Sequence, residues 1–147
     1  MFKNLLAIRE DFDMSQSDVA NIIGVNRSNI SRWENCSVFI PIEHLNTYSN
    51  HFNVSFDFLA GLSSVKRYDD VNKVLDKRLV GSRLRKFRNS NGLTLRELAK
   101  VLNTSSSTLS AYETGKVLIL TSFAYEICKR YNISMDWLCG KIKDSDC

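Results

Sequence analysis

Arg27 and Arg32, with Ser28 and Ser31 between them, lie in a stretch of helical pattern that runs from Asn26 to Glu34. Ile30 and Trp33 are its apolar positions, so the arginines and serines fall on the outward face. A guanidinium offers planar, forked donors that match phosphate oxygens and the guanine edge, and a hydroxyl both donates and accepts. Two readings of this face stand, a solvated charged surface and non-covalent recognition of a polyanion, and the placing of both arginines on one helix of an otherwise acidic half favours the second. No catalytic constellation competes with it. There is no Gly-rich phosphate loop and no Ser/His/Asp set in a recognisable context, and His44 and His51 stand alone. Cys36, Cys128, Cys139 and Cys147 form no CxxC pair and no His/Cys cluster. No enzymatic activity, metal or cofactor is expected. Cys128 and Cys139, among apolar helical neighbours, read as core filler, and Cys147 as a free tail thiol.

The elements that present this face are two short helices and a tight turn over Gln16 to Glu34. Ala20 lets the helices approach, Gly24 accepts a left-handed turn, and Ile30 and Trp33 lock the second helix against the first. A helix held this way, outer face free, fits the major groove of B-DNA.

The arrangement occurs twice. Shifted by 79 positions, the chain matches itself without a gap: Ala20 falls on Ala99, Ser31 on Ser110, Glu34 on Glu113, and Asn53-Val54-Ser55-Phe56-Asp57-Phe58-Leu59 on Asn132-Ile133-Ser134-Met135-Asp136-Trp137-Leu138. One repeat is one structural unit. The expected layout is a domain at 1–62, a linker at 63–79, a second domain at 80–142 and a tail at 143–147. Each domain reads as five short helices with no sheet. Leu5, Ile8 and Phe12 form the first apolar stripe, Ser15 with Asp18 and Thr94 with Glu97 resemble capping boxes, Asn26 and Ser105 cap the third helix, and Ser55 and Ser134 the fifth. In the linker, Tyr68, Val71, Val74, Leu75 and Leu79 form a helical stripe. Two readings of it stand, a brace against a neighbouring domain and a dimer contact.

Residues 1–65 carry a net charge of −3 and the remainder +7. A basic half suits a polyanion partner and equally suits ordinary solubility. The longest apolar stretch, Val117 to Leu120, is far too short for a bilayer, and no signal peptide is expected at the N-terminus. A cytoplasmic protein is expected.

Both units resemble the Cro/repressor (XRE-type, lambda-repressor-like) helix-turn-helix family. The resemblance rests on Ser15-Gln16, Asp18-Val19-Ala20, Ile23-Gly24-Val25-Asn26, Asn29 to Glu34 and Asn53 to Gly61. In the second copy it rests on Leu93-Thr94, Glu97-Leu98-Ala99, Leu109-Ser110, Tyr112 to Gly115 and Asn132 to Leu138. It implies an all-α chain of two tandem five-helix DNA-binding domains joined by a partly helical linker, bacterial or phage-encoded and nucleoid-associated. It implies DNA contact by Gln16 (at a phosphate), Asn26, Arg27, Ser28, Ser31 and Arg32, and by Ser105, Ser106, Ser107, Ser110 and Lys116. It further implies structural ion pairs Arg9–Glu34 and Arg88–Glu113. Two departures matter. The family favours Gly after the third helix, as at Gly115, where the first unit has Cys36; its loop must differ, or Asn35 must take the strained conformation. The second unit has Leu95 for the helix-2 Gln and a recognition helix without a long base-reading side chain. Its positive charge lies instead on Arg83, Arg85, Lys86 and Arg88, and on Arg96, Lys100 and Lys116, and the run from Arg83 to Arg88 reads either as a solvated face or as a phosphate-facing or partner-facing surface.

Two functions are carried forward. One is a transcriptional regulator, a repressor in the first instance, that binds double-stranded DNA as a homodimer. The other is a protein-interaction module of anti-repressor or antitoxin type built on the same fold. No membrane association and no small-molecule ligand are expected.

Overall fold

Capping chemistry sets the helix boundaries. In a computed structural model describing residues 2–144, Ser15 Oγ accepts from the Asp18 amide at 3.0 Å while the Asp18 carboxylate accepts from the Ser15 amide at 2.9 Å. Thr94 and Glu97 repeat the reciprocal pair at 3.0 Å in both directions. Each box satisfies amides that the first helical turn leaves without partners. Ser55 and Ser134 likewise accept from the amides of Phe58 and Trp137. Ser105 caps the Thr108 amide, whereas Asn26, at the matching place, makes no side-chain cap; the expected Asn26 cap is absent and its side chain is left exposed.

All described elements are helices. Among these residues the first compact unit, Met1–Tyr68, holds α1 (Leu5–Asp11), α2 (Gln16–Ile23), α3 (Arg27–Glu34), α4 (Ile42–Phe52) and α5 (Phe56–Leu59). The second, Asp69–Cys147, holds α6 (Lys77–Ser90), α7 (Leu95–Val101), α8 (Ser106–Glu113), α9 (Thr121–Tyr131) and α10 (Met135–Leu138). In each unit the third helix packs on the second and the first around an apolar centre: Val19, Leu45, Phe56 and Leu59 in one, Leu84, Leu98, Leu109 and Ile127 in the other. Trp33 and Tyr112 are core residues, each 5 % exposed. Cys128 and Cys139 are buried thiols, while Cys147 lies outside the described residues. Phe12 departs from the expected stripe. It falls just beyond α1, is 51 % exposed, and rests edge-on against Phe52.

The repeat extends to backbone conformation. Positive φ occurs at Asp13, Gly24, Cys36, Asn53 and Gly61, and again 79 residues on at Gly92, Asn103, Gly115, Asn132 and Gly140. Nine of these ten are Gly, Asn or Asp, the residues that tolerate the left-handed region. Cys36 is the exception. The loop does not differ between units and Asn35 is not the strained residue: Asn35 has φ −85°, and Cys36 itself adopts +62° where Gly115 has +75°.

The apolar stripe at 68–75 forms no helix. Asp70 sits at φ +53°, which interrupts any right-handed helix, and Asp76 accepts from the amides of Arg78 and Leu79, so α6 starts at Lys77. Of 63–79 only the last three residues are helical. The earlier part folds back on α5: Ser55 donates its amide to the Lys66 carbonyl at 2.6 Å, and the Tyr68 hydroxyl donates to Asp57 at 2.8 Å. The later part joins the second unit, where the Asn72 amide donates to the Lys141 carbonyl at 2.8 Å. The early start makes α6 14 residues long against 7 for α1, and the added turns lie against α8. Gly81 permits that crossing, because a Cβ there would sit 2.3 Å from the Tyr112 carbonyl oxygen.

Candidate nucleic-acid interface

In the first unit, α2, the turn at Gly24 and α3 leave Asn26, Arg27, Ser28 and Arg32 exposed and Ser31 half-buried. Arg27 makes no ion pair among the described residues. Arg32 donates to Asn29 Oδ1 at 2.5 Å, a neighbour three residues back on α3 that sequence reasoning did not single out. This face brings together two guanidinia, four hydroxyl or amide side chains and no acid.

What holds α3 is an ion pair at its far end. Arg9 donates from Nε to Glu34 Oε2 at 2.6 Å and from Nη2 to Oε1 at 2.9 Å, and its Nη1 donates to the Met14 carbonyl at 2.8 Å. Arg88 repeats all three bonds, to Glu113 at 2.7 and 3.1 Å and to the Leu93 carbonyl at 2.8 Å. The bidentate bond to the glutamate raises the pKa of each guanidinium above its ordinary value, against the opposing effect of burial. One side chain thus ties the first helix, the loop before the second and the end of the third.

The glutamates have different second donors. Gln16, half-buried, donates Nε2 to Glu34 Oε1 at 3.0 Å, so its amide is engaged inside the protein as well as standing at the start of α2. Leu95 cannot do this. In the second unit Arg85 Nε lies 3.9 Å from the same oxygen of Glu113, with the Arg85 side chain 68 % exposed.

On α8 the outward residues are short. Ser106 and Ser107 are exposed and Ser110 is half-buried. Ser105 is spent on capping and also meets the hydroxyls of Ser107 at 3.0 Å and Thr108 at 2.8 Å. Lys116 is exposed in the loop after α8. The basic run Arg83 to Arg88 is not one outward surface. Arg83 is 7 % exposed and donates to the carbonyls of Trp137 and Ile142 at 2.5 and 2.6 Å; burial lowers its pKa. Lys86 pairs with Asp144, and Arg88 with Glu113. A period of 3.6 places these residues on different sides of one helix, and two of those sides are covered by other parts of the unit.

No helix of the described residues is long and apolar enough to cross a membrane. The chain is similar to the antitoxin PezA of Streptococcus pneumoniae serotype 4, 29 % identical over 101 residues, which is 63 % of this chain and 64 % of that protein. The chain therefore spans less than two thirds of the length of the curated relative it matches. No solved structure matches it. The helix-turn-helix family signature matches at residues 5–59 and again at 84–138, the same 79-residue offset as the internal repeat. With both matched segments carrying the two-helix core, the Arg–Glu clamp and the closing short helix, the chain belongs to the XRE-type helix-turn-helix family, in two tandem copies.

Proposed function

We propose that the chain binds double-stranded DNA sequence-specifically and represses transcription. In this reading α3 lies in the major groove with Arg27 and Arg32 at base edges and Ser28, Ser31 and Asn26 at its margins. The observation that carries it is the acid-free outward face of α3, with Arg27 unpaired and the helix held from behind by the Arg9–Glu34 clamp. Two arginines on the recognition helix of an otherwise acidic half suit direct reading of guanine edges. The second unit has no long side chain on α8 and supports binding through backbone contact or self-association. A homodimer supplies two copies of the Arg27/Arg32 helix for a palindromic site with half-sites about 34 Å apart.

Selection of bound sequences from a random duplex pool tests this. Enrichment of a motif, with affinity falling steeply as salt rises, is the expected result. No motif, together with no binding to mixed duplex at low salt, refutes it. Light scattering and a footprint test the dimer: a monomer that protects an asymmetric site, one-to-one, rules it out.

The likeness to an antitoxin favours a second reading, in which the fold holds a protein partner. The net charge of −3 on residues 1–65 suits a basic partner protein better than DNA. Failure of the duplex selection transfers support to this reading.

A further inference from the structure

The two glutamates that end the recognition helices receive identical bidentate bonds from Arg9 and Arg88, and differ in the third group that approaches them. In the first unit that group is Gln16, reaching Oε1 of Glu34 from the start of α2. In the second it is Arg85, reaching Oε1 of Glu113 from α6. We propose that Arg85 grips a DNA phosphate in the second unit, in the place that the helix-2 glutamine holds in the first. This rests on the reading of the chain as a duplex binder and commits its second unit to backbone contact.

The geometry separates this role from a structural one. Both oxygens of Glu113 are already satisfied by Arg88 at 2.7 and 3.1 Å, and Arg85 at 3.9 Å is beyond hydrogen-bonding distance. An ion pair with one member 68 % exposed adds little to folding. The Arg85 guanidinium is therefore tethered beside the recognition helix by attraction to a buried carboxylate, with its donors still open to solvent. Phosphate is the ligand that a planar, permanently charged fork best fits. The other cations of the run from Arg83 to Arg88 are committed: Arg83 to two carbonyls, Lys86 to Asp144 and Arg88 to Glu113. The short hydroxyls of Ser106 and Ser107 also suit a helix that sits against the duplex without selecting bases.

The test is fluorescence anisotropy of the full chain on its selected duplex and on a mixed-sequence duplex, across a salt series. R85Q keeps a polar amide at this position and removes the charge together with the forked guanidinium donors. R130Q, on α9, removes an exposed charge of a helix other than α6, α7 and α8 and controls for net charge. R85Q is expected to weaken both duplexes by the same factor and to flatten the plot of log affinity against log salt by about 0.9. The wild-type advantage over R85Q then shrinks about 3.5-fold between roughly 50 and 200 mM salt, which is that slope over a fourfold range. R130Q leaves the slope as in wild type. If R85Q and R130Q match in affinity and slope while wild type still selects a motif, the role of Arg85 is overturned and the regulator reading stands. If wild type binds neither duplex, both fall.

Discussion

Replacing Arg9 with Met leaves an apolar stem of similar reach and removes the guanidinium that ties α1 to α3. Three bonds go: two to Glu34 at 2.6 and 2.9 Å and one to the Met14 carbonyl at 2.8 Å. Glu34, 7 % exposed, keeps only the Gln16 amide at 3.0 Å. Breaking a buried pair by removing one partner costs about 3–5 kcal/mol, because the other charge stays buried. With Gln16 in place and Arg9 already 14 % exposed, the lower end of about 3 kcal/mol applies. A unit of this size holds roughly 3–10 kcal/mol in total, so the loss is a large part of its stability. Each unit carries one tryptophan, Trp33 and Trp137, so in a Trp137→Phe background urea unfolding followed by fluorescence reports the first unit alone. At about 1 kcal/mol per molar urea the midpoint falls by about 3 M, or the transition disappears. The double variant R9M/E34M removes the orphaned carboxylate and recovers at least half of the loss. At that dependence on urea, a midpoint shift under about 0.5 M for R9M refutes the clamp as a stabilising element. So does a double variant less stable than the single one.

Arg27→Ala is expected to cost about 1–3 kcal/mol on the selected duplex and relax preference at one position, and Ser106→Ala much less; anisotropy on single-base variants of the site reads both. Cys36→Gly relieves a left-handed residue and raises the urea midpoint of the first unit by the equivalent of about 0.5–1 kcal/mol. Gly115→Ala does the reverse in the second unit by more than that, since its Cβ would lie 2.9 Å from Arg78 Cα. Lys141 is fully buried, and burial pushes its ammonium pKa down to about 8. The native state therefore holds fewer protons than the unfolded chain above that value, and stability of the second unit rises with pH from about 8 towards the unfolded value near 10.4. Urea midpoints by Trp137 fluorescence at pH 7.5 and 9.5, in a Trp33→Phe background, are expected to show this rise and to lose it in Lys141→Met.

Most of the scaffold is legible in the chain because its determinants are local. Ser15 with Asp18 and Thr94 with Glu97 form their boxes within one turn, and the apolar positions of α2 and α3 follow a 3.6 period that burial then obeys. Register 79 carries this from one unit to the other down to the paired left-handed residues. The region around Asp70 was less legible. Its apolar spacing fits a helix, and a single left-handed residue with a stronger start signal at Asp76 decided otherwise.

By itself the sequence determined the two units, the helices within each repeat and the outward residues of α3, and the family resemblance implied the Arg–Glu clamps. Only tertiary structure decided which charges remain available to a partner. Gln16 finds its acceptor 18 residues away, and Arg83 its carbonyls 54 and 59 residues away, so no local pattern announces that either is engaged. Composition counts Arg83, Arg85, Lys86 and Arg88 as one basic run. Folding buries the first, pairs the third and fourth, and leaves the second exposed, because a helix turns successive side chains to different neighbours and each cation takes the nearest acceptor the fold brings to it.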